Sequence, residues 1–416
     1  MKHLLYIILA SIFLNLGSGC VKNEKRELLS GTWRGTFKTE SGVEIPFNFE
    51  VADSSGKKII RLINAADRFY VDDVTLKNDS VKISIPLFDV EIKATINSNH
   101  TLTGNWIKHL PLKDIKMVFS AVPNTKWRFF KTDSTRYVNV SGKWSTLFIK
   151  SDLADTTIAI GSFTQTKSYV TGTFLTSTGD YRFLEGTISD KNLYLSSFGG
   201  SNPELFTAKL ENDSTITNGK YYSGYSSVKN WMASKDENAM LPDAFSLTSL
   251  KTGITKINFS FPDLTGKKIS NTDIRYKNKV LIIQFLGSWC PNCMDETAFL
   301  SSYYKQNNKH GVEVIGLAYE RTNDIDKSKR AVSNLKKRFD IPYSVLLTGY
   351  TNHVAEVAKS IPELKSFMAF PTTLIIDKKG KVRKIHTGFS GPGTGEYYTE
   401  FIIEFEKTIN YLLSEK

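Results

Sequence analysis

One Cys-x-x-Cys occurs in the 416 residues, Cys290-Pro291-Asn292-Cys293, and it follows closely on the apolar run Val280-Leu281-Ile282-Ile283-Gln284-Phe285. A run of that length and character reads as a buried strand, and the stretch from Cys293 to about Lys309 has helical character. The cysteine pair therefore sits where a strand turns into a helix. That placement sets the first sulfur against the unpaired N–H groups and the positive end of the helix dipole, an arrangement that favours a thiolate. A spacing of three puts the second sulfur on the same side, able to attack a mixed disulfide formed by the first. Cys290 is thus expected to be the attacking nucleophile and Cys293 the buried resolving thiol.

Two other readings of the pair are weaker. A closed zinc site needs four ligands, and the chain offers no second cysteine pair; His310, His353 and His386 are far apart in sequence, so neither a metal nor any other cofactor is expected. An inert structural bridge is disfavoured by the neighbouring Trp289 and by the strand-to-helix setting.

From Ile257 onward strands and helices alternate, as an α/β domain requires. After the first strand and helix, the expected elements are strands at 312–317, 343–347 and 372–376 and helices at 326–339 and about 395–413. From Leu29 to about Tyr225 the pattern is different: short alternating runs such as Ile83, Ile85 and Leu87 are broken by Gly, Asn, Asp and Ser, which reads as antiparallel strands with tight turns. Leu29-Ser30-Gly31-Thr32-Trp33 returns as Val140-Ser141-Gly142-Lys143-Trp144, and Leu102-Thr103-Gly104-Asn105-Trp106 is echoed by Ile216-Thr217-Asn218-Gly219-Lys220-Tyr221. The expected fold class is therefore multidomain, with N-terminal antiparallel all-β modules at 29–128 and 129–225, a linker at 226–254 and a C-terminal α/β thioredoxin-like domain at 255–416. The Gly-x-Trp openings resemble those of avidin-like and lipocalin-like barrels. A ligand-binding barrel is one implication; an ordinary aromatic core of a scaffold is the reading preferred here.

The first twenty residues read as an export signal, with a polar start at Lys2 and His3, an apolar run from Leu4 to Leu14 and small residues ending in Cys20. The end resembles the lipobox of bacterial lipoproteins, although Gly17 stands where that motif usually has Leu, Val or Ile. The resemblance implies a lipid on Cys20, a membrane anchor and a periplasm-facing place in the cell envelope. The formal charge of +12, from 54 Lys and Arg against 42 Asp and Glu, is scattered without a block of five like charges. It reads as solvated faces, and no nucleic acid is expected as a partner.

The segment around the cysteines is similar to the TlpA/ResA-like thiol-disulfide oxidoreductases, membrane-tethered members of the thioredoxin superfamily. The likeness covers about residues 257–416 and rests on Phe259 to Gly266, on Gly287-Ser288-Trp289-Cys290-Pro291-Asn292-Cys293, and on Phe370-Pro371-Thr372-Thr373 before a strand ending at Asp377. It implies that Pro371 is a cis-proline beside the sulfurs, with the backbone of Phe370 turned toward a substrate strand, and that Trp289 and Pro291 also face the substrate. It further implies that Glu296 tunes the cysteine pair, by relaying a proton to or from Cys293; the alternative is a solvated glutamate at the helix start, favoured by the dipole. Gln284 stands where thioredoxin itself has a buried aspartate, which leaves Glu296 as the nearer candidate base. The partners implied are client proteins with thiols or disulfides and a membrane redox partner. A peroxiredoxin-like peroxidase is the second enzymatic reading, but Ile283 and Gly287 occupy the places of that family's proline and threonine. A third reading is a binding or scaffold protein served by its thioredoxin domain.

Overall fold

The computed structural model describes residues 26–131, 137–150 and 156–415; Cys20 and the export signal lie outside them. The first β module is a nine-stranded antiparallel meander spanning Gly31 to Pro123. Its first strand, Gly31–Lys38, pairs with both the second, Glu44–Ser54, and the last, Asp114–Pro123, and the ladder stays open between Asp67–Val71 and Val74–Lys77. The second module closes completely. Gly142–Lys150 pairs with Ser227–Lys235 on one side and Thr156–Thr166 on the other, and Thr156–Thr166 pairs with Tyr169–Thr176, so that eight strands form a barrel without a free edge. A short strand, Gly179–Asp180, folds back on the end of Tyr169–Thr176.

The sequence repeat is structural. Trp33 and Trp144 occupy the same place in the two modules, each fully buried, and each indole N–H donates to the carbonyl four residues earlier, Leu29 at 2.9 Å and Val140 at 2.8 Å. The glycine two residues before each tryptophan has a positive φ, 118° at Gly31 and 106° at Gly142, which a side chain rarely tolerates. The second echo falls on the penultimate strand of each module, Leu102–His109 and Thr215–Ser223. Its one extra residue in the second copy lies at a register shift between Ile216 and Gly219, where Asn218 takes φ 52°. The interior of the closed barrel is filled by aromatic side chains, with Phe174 against Phe206 at 4.9 Å and Phe206 against Tyr221 at 4.4 Å. The tryptophans are thus core residues.

Two segments of the expected linker at 226–254 belong to the domains on either side of it. Ser227–Lys235 is the barrel's closing strand, with Trp231 and Ala233 buried and Met232 exposed. Lys229 and Lys235, at positions in phase with the buried Trp231, and the exposed Val228 and Met232, out of phase with it, hide the strand's alternation in the sequence. Ser249–Leu250 pairs with Leu364–Ser366.

The C-terminal domain is built on a five-stranded sheet. We label its elements β1 (Val280–Leu286), α1 (Pro291–Asn307), β2 (Val312–Glu320), α2 (Ile325–Phe339), β3 (Ser344–Thr351), α3 (Val354–Ser360), β4 (Thr372–Ile376), β5 (Val382–Thr387) and α4 (Glu396–Ser414). The sheet order is β3-β2-β1-β4-β5, with β1, β2 and β3 parallel and β4 and β5 antiparallel to their neighbours. All seven residues of β1 are buried, so the central strand is covered on both faces, and its C-terminal end delivers the chain to α1.

The two β modules are joined through Arg128, which is 5% exposed and donates to the carbonyls of Ser196 (2.8 Å) and Ile63 and to Glu185 (3.1 Å). Truncating the barrel's anchor tests the packing argument. Trp144→Ala is expected to destabilise the second module by about 3–5 kcal/mol, seen as a lower urea midpoint in the near-ultraviolet dichroism of the aromatic core. An unchanged midpoint would show that Trp144 does not support the barrel.

Candidate active site

Cys290 is the N-cap of α1. Its Sγ accepts a hydrogen bond from the backbone N–H of Cys293 at 3.3 Å, the role that a serine or aspartate oxygen plays at most helix starts. On its other side the thiol faces the carbonyl oxygen of Phe370 at 3.7 Å. The Phe370–Pro371 bond is cis, as the resemblance implies. Both thiols are free; Cys290 is 6% exposed and Cys293 only 1%. Burial, reinforced by the neighbouring Cys290 sulfur and by the charge of Glu296, pushes the Cys293 thiol well above its ordinary value.

The turn that carries the pair is held from β2. Ser288 donates to Glu320 through both its backbone N–H, at 2.9 Å, and its hydroxyl, at 2.7 Å, and the Trp289 indole donates to the carbonyl of Tyr319 at 2.9 Å. Trp289 packs edge-on against Phe370, and the Arg321 guanidinium lies over its ring at 5.1 Å. Trp289, Pro291 and Asn292 line one wall of a cleft.

Glu296 is buried behind Cys293, one turn further into α1, rather than solvated at the helix start. One carboxylate oxygen accepts from Thr373 of β4 and the other from Gln284 of β1, both at 2.8 Å. Gln284 also reaches the Cys293 carbonyl at 3.4 Å and accepts from Thr297 at 3.2 Å. It orients the carboxylate where a second acid would have repelled it. Burial drives the Glu296 carboxyl up to about 7, with the two hydrogen bonds opposing the shift.

Residues 251–400 match the Redoxin family. Over 140 residues the chain is 29% identical to Thiol-disulfide oxidoreductase ResA of Bacillus subtilis (strain 168), covering 34% of this chain and 69% of that protein. The protein of the same name from Bacillus thuringiensis subsp. konkukian (strain 97-27) is 33% identical over 125 residues, which cover 30% of this chain and 63% of the relative, less than two thirds of its length. The C-terminal domain is a TlpA/ResA-like thiol-disulfide oxidoreductase of the thioredoxin superfamily. A thiol-disulfide oxidoreductase from Bacteroides fragilis NCTC 9343 aligns with a TM-score of 0.28 at 21% identity, over 36% of this chain and 99% of that one.

Several residues around the cysteine pair escape sequence reasoning. Glu320 and Arg321, at and just past the end of β2, are such residues; an acid at the buried end of a mostly apolar strand is the one signal that points to them. Asp295 is another: it forms a two-pronged ion pair with Arg182 of the second β module, at 2.7 and 2.9 Å, across 113 positions of sequence. Nothing local marks that pair.

The raised Glu296 carboxyl makes stability depend on pH in a defined direction. Its folded value near 7 lies above the ordinary 4.5, so the folded state binds the proton more tightly. Stability is therefore lost as pH rises from about 4.5 through about 7, by a few kcal/mol for a shift of this size. Glu296→Gln keeps the hydrogen-bonding shape and removes that share of the loss. The difference in unfolding free energy between variant and parent is expected to grow in the variant's favour from pH 5 to pH 8. Parallel pH curves for the two proteins would rule this out.

Proposed function

We propose that the chain is an extracytoplasmic thiol-disulfide oxidoreductase that exchanges disulfides with client proteins through Cys290 and Cys293. The observation that carries the reading is the Cys290 sulfur itself. It is free, it sits at a helix N-terminus with the Cys293 N–H pointed at it, and its resolving partner is buried beside a carboxyl that titrates near neutrality.

In the reducing direction, the Cys290 thiolate attacks one sulfur of a client disulfide, forming a mixed disulfide and releasing the other client sulfur as a thiolate. Cys293 then loses its proton and attacks Cys290. The Cys290–Cys293 bond forms, the bond to the client breaks, and the client leaves as a dithiol carrying two more electrons. In this reading Glu296, buried one turn beyond Cys293, takes its proton. Returning the pair to dithiols needs two electrons from an outside thiol reductant, for which a membrane redox partner is the expected source. The same steps reversed oxidise a client dithiol. Trp289, Pro291, Phe370 and Pro371 form the contact surface for the client, and the backbone carbonyl of Phe370 beside the sulfur suits pairing with an extended strand. Lipidation at Cys20 would hold the protein to a membrane facing the periplasm.

Trapping tests the reading. Cys293→Ser is expected to accumulate mixed disulfides through Cys290, visible on non-reducing gels and collapsing with dithiothreitol. Cys290→Ser together with Cys293→Ser is expected to show none. A Cys293→Ser protein that captures no disulfide-bearing peptide at tenfold excess would end the exchange reading.

A further inference from the structure

The redox motif faces a cleft and not an open surface, because the β modules stand over it. Asn292, between the two cysteines, packs against the turn that follows Tyr169–Thr176: a Cβ on Gly179 would lie 2.2 Å from the Asn292 amide nitrogen. The next residues lock that turn down. Asp180 accepts the backbone N–H of Gly391 at 2.7 Å, and Arg182 holds Asp295 on α1. What remains beside Trp289, Pro291 and Asn292 is a cleft of about 290 Å³ whose opposite wall is made by Asn64, Lys108 and Asn202. Past Lys108 and Arg321 it broadens into a groove of about 1050 Å³. On the rim of that groove Leu112 is 98% exposed.

Charge in this cleft is uneven. Its acids are committed: Asp67 and Asp295 face Arg182, Asp180 accepts from the backbone of Arg182 and Gly391, and Glu204 accepts from Tyr221 and Ser197. Two cations have no such partner among the described residues. Lys108, 4% exposed, donates only to the neutral oxygens of Asn202 at 2.7 Å and Ser201 at 3.2 Å. Arg321 stacks on Trp289 and forms no ion pair among the described residues. Asp89, whose charge reaches both, is exposed at the surface, and Glu320, whose charge also reaches Arg321, accepts two hydrogen bonds from Ser288. Burial, and then the charge of Arg321, push the Lys108 ammonium down to about 7, as befits a cation short of a counter-charge. Lys113, Lys327 and Arg330 extend the basic character along the adjoining walls.

We propose that this cleft is the client-binding site and takes an extended peptide segment with an acidic side chain next to its reacting cysteine, the carboxylate held by Arg321 and Lys108 while the sulfur faces Cys290. The proposal rests on the exchange reading for its sulfur chemistry. The walls around Cys290 exclude the rigid face of a folded client, whereas a single extended strand fits between them, and Leu112 offers an apolar contact where the strand leaves. Arg321 presents a planar fork that matches a carboxylate, held in place by the indole beneath it.

Binding can be measured without any sulfur chemistry. The full chain carrying Cys290→Ser and Cys293→Ser is titrated with fluorescent eight-residue peptides that differ only in Glu, Gln or Lys beside a central S-methylated cysteine. The Glu peptide is expected to bind at least tenfold tighter than the Gln peptide, and the Lys peptide weakest. Adding Arg321→Gln, or separately Lys108→Gln, is expected to bring the Glu-to-Gln ratio below threefold. Equal affinities for the three peptides, or a ratio that survives both substitutions, would overturn the proposal. So would binding of oxidised glutathione as tight as that of the Glu peptide, which would assign the cations to a small anionic disulfide. Because no thiol takes part, these outcomes are independent of the trapping result, which judges the exchange reading alone.

Discussion

A sulfur atom caps the helix that it begins, and the rest of the active site is arranged around that bond. The seven buried residues of β1 end at the C-terminal end of the central strand, where the first N–H groups of α1 have no partner within the helix. Cys290 supplies the acceptor, so its Sγ is placed by backbone geometry and not by a flexible side chain. The turn before it is secured through Ser288, held by Glu320, and through the Trp289 indole, held by Tyr319. Both anchors come from β2, the strand parallel to β1. A reactive atom positioned in this way needs little rearrangement to meet an incoming disulfide.

Burial divides the labour between the two sulfurs and the carboxyl behind them. Cys293 and Glu296 share one dry region, and two negative charges there would repel each other without water to screen them. A charge on Glu296 therefore adds to burial and to the Cys290 sulfur in holding Cys293 neutral. The hydrogen bonds from Thr373 and Gln284 orient the carboxylate and favour its ionised form, against the burial that raises it. A buried aspartate at position 284 would have added a third acid to the same space. Gln284 removes that repulsion and supplies a donor to Glu296 instead.

The thioredoxin-like domain was largely legible in the sequence because its signals are local. A continuous apolar strand, a Cys-x-x-Cys and an apolar stripe of Phe405, Ile409 and Leu412 each occupy a few turns or residues, and the helices start and stop within two residues of expectation. The short α3 and the edge strand β5 were not foreseen. The first has too few turns to show a period, and half of the second is polar and partly exposed. In the β region the repeat announced two related modules through Gly31, Trp33, Gly142 and Trp144, but closure of the second was hidden, since it depends on pairing between Gly142–Lys150 and Ser227–Lys235, strands far apart in sequence. Contacts between domains left no trace at all. Arg182 is one arginine among many until folding sets it against Asp295.

That ion pair has a consequence for how a common fold acquires selectivity. Arg182 and Asp295 are partly shielded from water and joined by two hydrogen bonds, a geometry in which removing either partner strands the other. The contact ties the second β module to the helix that carries the cysteines, while Arg128 ties that module to the first and Arg338 ties the first to α2 through the Tyr70 carbonyl at 2.8 Å. The three domains therefore form a closed circuit around the cleft, each touching the other two. A thioredoxin-like surface by itself offers a client one flat face. Enclosing that face adds walls, Lys108 and Asn202 among them, that belong to the β modules and not to the turn that carries the cysteines.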